Sequence, residues 1–382
     1  MKLLINNAFR QPIRSFLVLV GMLVAISAFG LLRTVVEAWY AGVDAASSAR
    51  LISRSSISLV FSLPIHYAAK IRQVEGVSAV SWANWFGGIY QDPKNFFPQF
   101  AIEADTYLKQ YPEFKLPDAE YKAFLVDRKG CIVGKKLADT FGWKLGDTIP
   151  LRGTIYPGQW SFILRGIYEG KDQTVDQSQF FFHWAYLNER IKQIFPRRAN
   201  TTGVFVITIQ DPSQAAQISE RIDQQFKNSL AETRTETEKA FQLSFVSMTE
   251  AILMVIQLVS WVVIVIILVV MANTMAMTVR ERTSEYATLR ALGFSSHYIA
   301  GLILGESVVV SSLGGVLGIM LTHPMAHLVK SHTGTLFPIF YVSEGTFWLQ
   351  VMISVGVGGV AGLLPAWRMS RLKIIEGLRH VG

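Results

Sequence analysis

The amino-acid sequence has 382 residues, of which 51% are hydrophobic and only 17% are charged. Soluble domains carry about a quarter charged residues, so this composition excludes a disordered chain and argues against a wholly soluble protein. The single cysteine, Cys131, excludes an intrachain disulfide and a cysteine-rich zinc site. The formal net charge of +8 suits nucleic acid, anionic lipid or the cytosolic loops of a membrane protein, and the positions of the charges distinguish these.

Four runs without a charged residue are long enough to cross a membrane. At about 1.5 Å per residue, a helix of this length crosses an apolar layer about 30 Å thick. A buried helix of a soluble protein would explain one such run, but four runs with charges at or near both ends predict four transmembrane helices. The runs are Ser15–Leu32, Ala251–Val279, Ser307–Val329 and Gly345–Trp367.

The first run has a signal peptide as its alternative interpretation. Ala25 and Ser27 supply small residues of the kind found at cleavage sites. The run is longer than the apolar core of about 7–15 residues in a signal peptide, which favours a retained transmembrane helix.

Lysine and arginine positions predict the orientation, because these residues concentrate in cytosolic loops. The only Lys or Arg in the loop between the third and fourth runs is Lys330, and the segment 33–250 has nearly equal numbers of positive and negative residues. We therefore predict that the segment 33–250 lies outside and that both termini lie inside. The net charge is thus a membrane signature and does not indicate a nucleic-acid partner. The positive residues on the cytosolic side are Lys2, Arg10, Arg14, Arg280, Arg282, Arg290, Arg368, Arg371, Lys373 and Arg379.

The outer segment is long enough for one or two small domains. Its flanks, 33–55 and 228–250, are polar and read as helical stalks, with a solvated helix face over Ala231–Lys239. Two strand–turn–helix units predict a small α/β domain. They are Ile57–Phe61 followed by a helix over Ser62–Glu75, and Val204–Ile209 followed by the N-cap Asp211 and a helix over Gln214–Phe226.

The middle of the outer segment, about 115–195, predicts an inserted, mainly β subdomain. A short helix over Val133–Phe141 would end at Gly142. Strands are predicted over Lys122–Asp127, Thr148–Arg152 and Ser161–Tyr168. The predicted fold class is an α-helical membrane protein with four transmembrane helices and a large, two-part extracytoplasmic α+β domain between the first two.

No catalytic constellation stands out in the outer segment. His66 and His183 are isolated and are interpreted as structural, and Cys131 as a small buried hydrophobe. Gly130–Lys136 has the glycines and lysines of a phosphate loop, but it lacks the four residues between the glycines and the Ser or Thr after the lysine.

The segment after the second run predicts a short amphipathic helix, with Ser284 as N-cap and an end at Gly293. Glu285, Leu289 and Leu292 fall on one face at spacings of four and three. A helix with charges and an apolar edge suits a partner protein, and the alternative is an ordinary solvated loop.

Glu306 lies about 15 Å along the predicted third membrane helix, where an ionisable group is costly and often functional. Three roles are open for Glu306: it holds helices together, contacts lipid headgroups or takes part in transport. Two pairs of small residues predict close helix packing within the subunit, with a dimer seam as the alternative. The pairs are Gly314 with Gly318, and Gly358 with Gly362.

His323, His327 and His332 form a metal-like cluster in the sequence. The first two share a helix face, but no Asp or Glu lies between them as in a metalloprotease motif. We interpret them as side chains at the membrane boundary and predict no metal site.

Six segments carry a resemblance to a known family: Asn7–Leu17, Val133–Thr148, Gly166–Tyr168, Asn273–Phe294, Gly305–Gly318 and Gly362–Arg379. In the order of these segments the sequence resembles the permease subunits of the MacB/FtsX superfamily of ABC transporters. The resemblance covers nearly the whole chain and is most specific in the membrane half. Ile374–Gly377 departs from it, because relatives often have a Pro and an Ala there.

The resemblance implies a homodimer or pseudo-dimer with two cytosolic ATPase subunits, which bind the ATP and magnesium. It implies no cofactor in this chain, and the sequence has no Walker A loop. MacB itself has a fused ATPase, so we expect the motor here to be a separate polypeptide. The resemblance further implies a coupling element that docks on the ATPase, formed by Arg280, Glu281, Arg282, Glu285, Leu289, Arg290 and Gly293.

These considerations predict eight segments. Within the predicted outer segment, 37–250, the inserted β part spans about 115–195. The others are a cytosolic amphipathic segment (1–14), transmembrane helices (15–36, 251–279, 297–329 and 345–367), a cytosolic coupling loop (280–296) and a cytosolic tail (368–382).

The predicted function is a non-catalytic permease in a bacterial inner membrane that relays ATP-driven movement to its periplasmic domain. It would extrude a periplasmic or outer-leaflet substrate, as in tripartite efflux with a periplasmic adaptor and an outer-membrane channel, or in lipid or lipoprotein extraction. The alternative is a signal transducer that regulates a partner such as a cell-wall hydrolase. A membrane enzyme is a third class, for which no nucleophile–base set or metal motif speaks.

Overall fold

The computed structural model describes residues 12–172, 174–333, 337 and 339–371. The described chain divides into two compact units. A helical unit contains residues 12–38, 249–333 and 340–371. A sheet unit contains the described residues of 39–248 together with 337 and 339.

In chain order the helices are α1 (Pro12–Ala45), α2 (Tyr67–Ile71), α3 (Asp118–Val126), α4 (Lys135–Phe141), α5 (Trp184–Ile194), α6 (Ala215–Gln225), α7 (Glu238–Ser247), α8 (Glu250–Glu281), α9 (Thr283–Ala291), α10 (Ser296–Thr333) and α11 (Glu344–Ser370). The strands are β1 (Arg50–Ser55), β2 (Leu63–Pro64), β3 (Val77–Trp85), β4 (Gly88–Ile89), β5 (Gln99–Ile102), β6 (Phe114–Lys115), β7 (Gly130–Gly134), β8 (Thr148–Gly153), β9 (Gly158–Gly170), β10 (Phe180–His183), β11 (Thr201–Thr202), β12 (Val204–Ile209) and β13 (Thr233–Thr237).

Four helices of the described chain, α1, α8, α10 and α11, are long and apolar enough to cross a membrane. Each contains one of the uncharged runs. Their shared core is aliphatic and methionine-rich, with Met22 and Met271 fully buried. The outward side chains of α8 are largely apolar and exposed, as a bilayer requires of a lipid-facing surface.

Glycines bring α10 close to its neighbours in the helical unit. A Cβ added at Gly314 would lie 2.6 Å from Cβ of Met22, and one added at Gly318 would lie 2.9 Å from Cβ of Ile26, both on α1. Small residues at such positions allow backbones to approach within the distance that dispersion contacts need. The structure therefore places this pair at the contact between α1 and α10.

The second glycine pair lies between α10 and α11. A Cβ at Gly358 would lie 2.8 Å from the Cα of Val308, and one at Gly362 would lie 2.9 Å from Cβ of Ser307. Ser307 Oγ uses the same close approach to donate a hydrogen bond of 2.6 Å to the carbonyl of Gly358. These are contacts within one chain.

The sheet unit is built on an 11-stranded sheet within the described residues. Its order is β13–β1–β12–β3–β5–β10–β7–β9–β8–β4, with β6 paired to β9. Most neighbours are antiparallel, but β10 runs parallel to β5 and β7 runs parallel to β9. The sheet passes without a break from the predicted α/β part into the predicted inserted part, so their hydrogen-bonded backbones form one continuous layer.

Helices cover the sheet in two places with different cores. Around β1, β3 and β12, helices α2 and α6 pack aliphatic side chains such as Ile71 and Ile218 on the sheet. Around β7, β9 and β10 the core is aromatic, with Phe162 and Phe182 fully buried beneath α4 and α5. Cys131 and His183 are buried here, and burial raises the pKa of the thiol and lowers that of the imidazole, which fits the structural roles predicted for them.

One strand prediction and one helix prediction near the start of the sheet unit are wrong. The first strand is Arg50–Ser55, whose residues are almost all buried and pair with β12 and β13. Ile57–Phe61 is an exposed loop, despite its alternating sequence, and the helix predicted over Ser62–Glu75 is limited to Tyr67–Ile71. The strand is the more polar segment, Arg50–Ser55, because its backbone hydrogen-bonds to a strand on each side, β12 and β13.

Three further predictions need correction. Lys122–Asp127 is not a strand: it belongs mostly to α3, which follows Pro117 and carries Asp118 and Glu120 in its first turn, as favoured at a helix N-terminus. The Ala231–Lys239 segment is not a solvated helix face, because Thr233–Thr237 forms β13, for which its β-branched threonines are suited. The stalk predicted over 33–55 is helical only to Ala45.

The two adjacent glycines of α11 provide a matched test of helix packing. We expect Gly358→Ala to destabilise the helical unit by about 1–3 kcal/mol, because the added methyl meets the backbone of α10. Gly359→Ala should be neutral or slightly stabilising, since nothing lies within 4 Å of its added Cβ. Thermal unfolding of the two variants in detergent measures the difference, and equal stabilities would contradict the packing described.

Candidate functional site

The candidate site is the junction of α8, α9 and α10. Arg282 lies at the break between α8 and α9, where its backbone N–H donates to the carbonyl of Thr278 at 3.2 Å. Thr283 Oγ1 donates to the carbonyl of Arg280 at 2.8 Å and closes the corner. The N-cap predicted at Ser284 is therefore two residues too late, because Arg282 holds that position.

A buried ion pair joins the corner to α10. Arg282 Nη1 donates to Glu306 Oε2 at 3.0 Å, and the two side chains are only 12% and 5% exposed. Arg282 Nε also donates to Glu285 Oε2 at 3.1 Å. Since an unpaired charge is strongly disfavoured in apolar surroundings, this pair fixes the start of α9 to α10.

Tyr286 completes the inner face of α9. Its ring is 1% exposed, and the guanidinium of Arg282 lies 5.2 Å from the ring centroid. Burial raises the pKa of Tyr286 to about 12, which keeps the phenol neutral. Its hydroxyl has no hydrogen-bond partner among the described residues, so it packs here as a large hydrophobic side chain.

A second ion pair ties the start of α1 to the end of α8. Both terminal nitrogens of Arg14 donate to the two carboxylate oxygens of Glu281, each at 2.8 Å. This two-pronged geometry is directional as well as attractive. The carboxylate of Glu281, predicted as a docking group, is thus used within the chain, and Arg14 is a functional candidate that the coupling motif did not include.

The other predicted coupling residues divide into inward and outward positions. Leu289 is partly buried and packs against the core of the helical unit, and its role as an apolar anchor stays a prediction. Glu285 and Arg290 are partly exposed, and Arg280 is exposed. Gly293 adopts a φ of +94°, which ends α9 and turns the chain towards α10.

An apolar surface lies around that turn, and the sequence pattern pointed to only one of its members, Leu292. Leu292, Phe294 and Tyr298 are 73%, 44% and 52% exposed. The rings of Phe294 and Tyr298 contact each other with centroids 5.2 Å apart. We call these three residues the turn patch. The signal in the sequence was the two large apolar residues flanking Gly293, a position where a left-handed turn exposes its neighbours.

No group of three potential ligands that could hold a metal ion occurs among the described residues. His323 Nδ1 lies 3.3 Å from the carbonyl of Ile319 in its own helix, and the side chain of His332 lies outside the described residues. The junction can hold two helices together and present a partly apolar surface.

Comparison with protein families identifies both parts of the chain. The family described as MacB-like periplasmic core domain matches residues 15–225. The family described as FtsX-like permease C-terminal matches residues 257–374, which include the junction of α8, α9 and α10.

Three relatives illustrate the range of similarity. The chain is 35% identical over 109 residues to the uncharacterized ABC transporter permease YvrN of Bacillus subtilis, which covers 28% of this chain and 26% of that protein. It is 36% identical over 107 residues to the macrolide export ATP-binding/permease protein MacB of Nitrobacter winogradskyi, covering 28% of this chain and 16% of that protein. An uncharacterized ABC transporter permease of Methanocaldococcus jannaschii is 23% identical over 324 residues, covering 81% and 77%.

The chain thus spans less than a third of the length of the first two relatives. Among solved structures, it is similar to the periplasmic region of MacB from Actinobacillus actinomycetemcomitans, with a TM-score of 0.38 and 8% identity over 52% of this chain and 94% of that one. The extracellular domain of the transporter YknZ from Gram-positive bacteria gives a TM-score of 0.36 and 12% identity, over 49% and 100%.

Removal of one partner of the buried ion pair tests its role at the junction. We expect Glu306→Gln to destabilise the helical unit by about 2 kcal/mol, because Arg282 keeps its charge and loses its buried counter-ion. Glu285→Gln is the matched control: Glu285 is the second partner of Arg282, but its side chain is 40% exposed, and its loss should cost less than about 1 kcal/mol. Thermal unfolding distinguishes them, and a larger effect of Glu285→Gln would contradict the assignment.

Proposed function

This chain belongs to the MacB/FtsX-like family of ABC transporter permeases, and we propose that it transmits ATP-driven movement from a separate ATPase to its sheet unit. The observation that carries the proposal is the junction itself. Arg282 and Glu306 fix α9 to α10, while the turn patch beside it is exposed and apolar.

An element that transmits movement needs an inner side that is rigidly attached to the helical unit and an outer side that binds the ATPase. Arg282, Tyr286 and Leu289 supply the inner side through ion pairing and burial. Leu292 and Phe294 supply an outer apolar anchor, and exposed or partly exposed charges such as Arg280 and Arg290 border it. Apolar anchors give most of the affinity of such an interface, whereas charges set its orientation.

In the proposed assembly, two copies of this permease combine with two cytosolic ATPase subunits that bind ATP and magnesium. The membrane is the bacterial inner membrane, both termini and α9 are cytosolic, and the sheet unit is periplasmic. The charge asymmetry of the loops supports this orientation.

We further propose that the movement extrudes a substrate that already lies in the periplasm or outer leaflet. The four membrane helices bury few charged groups, which suits a bundle that transmits movement better than a polar channel. A relative named for macrolide export supports export as the activity. In this proposal export proceeds through a periplasmic adaptor and an outer-membrane channel, and lipid or lipoprotein extraction would use the same movement. The alternative to export is that the chain regulates a periplasmic hydrolase, and the contacts described above give no support to it.

Charge introduced into the turn patch tests the docking assignment. We expect Leu292→Asp with Phe294→Asp to weaken co-purification of the ATPase at least about tenfold and to abolish its stimulation, because the apolar anchor is lost. Phe195→Asp is the matched control, since Phe195 is similarly exposed but lies in the sheet unit. Undiminished binding by the turn-patch double variant would remove this surface from the interface.

The orientation is tested by labelling single cysteines in intact cells with a membrane-impermeant maleimide. A cysteine at Arg128, whose side chain is 66% exposed, should react from outside, and one at Thr288 should react only after lysis. The unmodified chain is the control, because Cys131 is fully buried and should stay unlabelled. Labelling of the Thr288 variant in intact cells would reverse the proposed topology.

A further inference from the structure

Arg50 is a buried arginine with an unusually complete set of partners. It begins β1 and is only 5% exposed. Its Nε donates to Glu238 Oε2 at 2.8 Å, its Nη1 donates to the carbonyl of Gln110 at 2.9 Å, and both terminal nitrogens donate to the carboxylate of Glu113. Its guanidinium lies 4.2 Å from the ring centroid of Tyr111.

Arg50 and Glu238 lie near the two ends of the sheet unit, where the chain continues into membrane helices. Arg50 follows the last residue of α1, Ala45, by five positions. Glu238 is the first residue of α7, which ends three residues before α8 begins. Glu238 Oε2 also accepts a hydrogen bond of 2.9 Å from the backbone N–H of Ser47. One carboxylate therefore contacts the chain leaving α1 at two points.

The third connection leads into the rest of the sheet unit. Gln110 and Glu113 belong to the turn between β5 and β6, and the rings of Tyr107 and Tyr111 stack in this turn at 4.8 Å. Burial raises the pKa of both phenols, so they form a neutral wall beside the guanidinium. Burial alone would lower the pKa of Arg50, but Glu238 and Glu113 raise it above its ordinary value, which keeps the network ionised.

A charge in such a site holds its partners in one geometry. The planar guanidinium presents donors in fixed directions, and each partner that withdraws leaves a buried charge unsatisfied. Gly42 of α1 lies close to Gln242 of α7, since a Cβ added at Gly42 would be 3.7 Å from Oε1 of Gln242. The hydrogen bonds of the network resist separation of the two connections.

We propose that Arg50 is a positioning residue that clamps both connections to membrane helices onto one point of the sheet unit, so that they move together with it. The inference rests on the proposed function, in which movement must pass through these connections. If Arg50 acts in this way, the connection from α1 and the connection to α8 are displaced together and not independently of each other.

Arg54 provides a matched control within the same strand. Its Nε lies 3.1 Å from Glu236 Oε1, and both side chains are 13% exposed. This pair joins β1 to β13 but contacts neither α7 nor the turn at 110–113. Its loss therefore removes a comparable ion pair without releasing the clamp.

The test measures the distance between spin labels on cysteines at Asp44 and Lys239, both exposed, in the permease bound to its ATPase in nanodiscs. Labelled subunits are diluted with unlabelled ones so that one chain is read. With Arg50 present, we expect one narrow distribution that is the same with ADP and with ATP. Arg50→Met should broaden it about twofold, because the buried link is cut, whereas Arg54→Met should leave it narrow.

An unchanged distribution in Arg50→Met, or equal broadening in Arg54→Met, would overturn the proposal. Limited proteolysis checks folding. If Arg50→Met does not fold, Glu238→Gln replaces it, because this change weakens the link between the two connections while Arg50 keeps Glu113, and intermediate broadening is expected. An unchanged distribution in that variant also counts against the clamp. Failure of the unmodified chain to bind an ATPase would refute the proposed function instead, and it is scored separately by co-purification.

Discussion

The ion pair between Arg282 and Glu306 is the constraint on which the junction depends. Glu306 lies inside an apolar helix bundle, where a lone carboxylate would be costly, and its partner comes from a position 24 residues earlier in the chain. Because the pair is nearly shielded from water, loss of Arg282 would leave Glu306 buried without its counter-ion, and loss of Glu306 would leave Arg282 with only the partly exposed Glu285. The corner between α8 and α9 is thereby fixed to α10, and the direction in which α9 projects is set.

The same principle recurs along the bundle with uncharged and charged groups. Gln350 Nε2 donates to the carbonyl of Ile26 and to Thr322 Oγ1, each at 2.9 Å, and so joins α1, α10 and α11. At another point, Glu37 of α1 accepts hydrogen bonds of 2.8 Å from Ser343 and Thr346 beside and within α11. Sparse polar ties and close glycine contacts make these three helices one body, whereas α8 presents a broad apolar surface.

In the sheet unit, too, distant segments of the chain are held in one arrangement, here by backbone and side-chain hydrogen bonds. There a continuous sheet supplies stiffness through its backbone hydrogen bonds, and Arg50 concentrates the contacts of both chain connections at one place. Each unit contains a buried arginine that pairs with a carboxylate from a distant segment. Such partners specify a single arrangement, because each alternative leaves a charge unpaired.

Much of this architecture could be predicted from sequence because its signals are local. The four long apolar runs identified four helices, and the pattern at Val204–Ile209 identified a buried strand correctly. The errors arose where long-range pairing decided the outcome: β1 is Arg50–Ser55, since it pairs on both sides, and not the more apolar Ile57–Phe61.

The candidate site shows the same division. Arg282 and Glu306 could each be singled out by type and position, but no local pattern says that they meet. Leu289 and Leu292 share a predicted face, yet the helix ends between them, so one packs inward and the other projects outward. The positive φ of Gly293 decides this, and its effect on neighbouring exposure is visible only in the folded chain.

The central claim is that α9 and α10 move as one piece when the ATPase works. Spin labels on cysteines at Thr288 of α9 and Leu313 of α10, both exposed, would measure the distance between them in the assembled complex. The account predicts the same distance and width with ADP and with a trapped ATP state, while distances from either label to the ATPase change. A shift between Thr288 and Leu313 on nucleotide binding would contradict it.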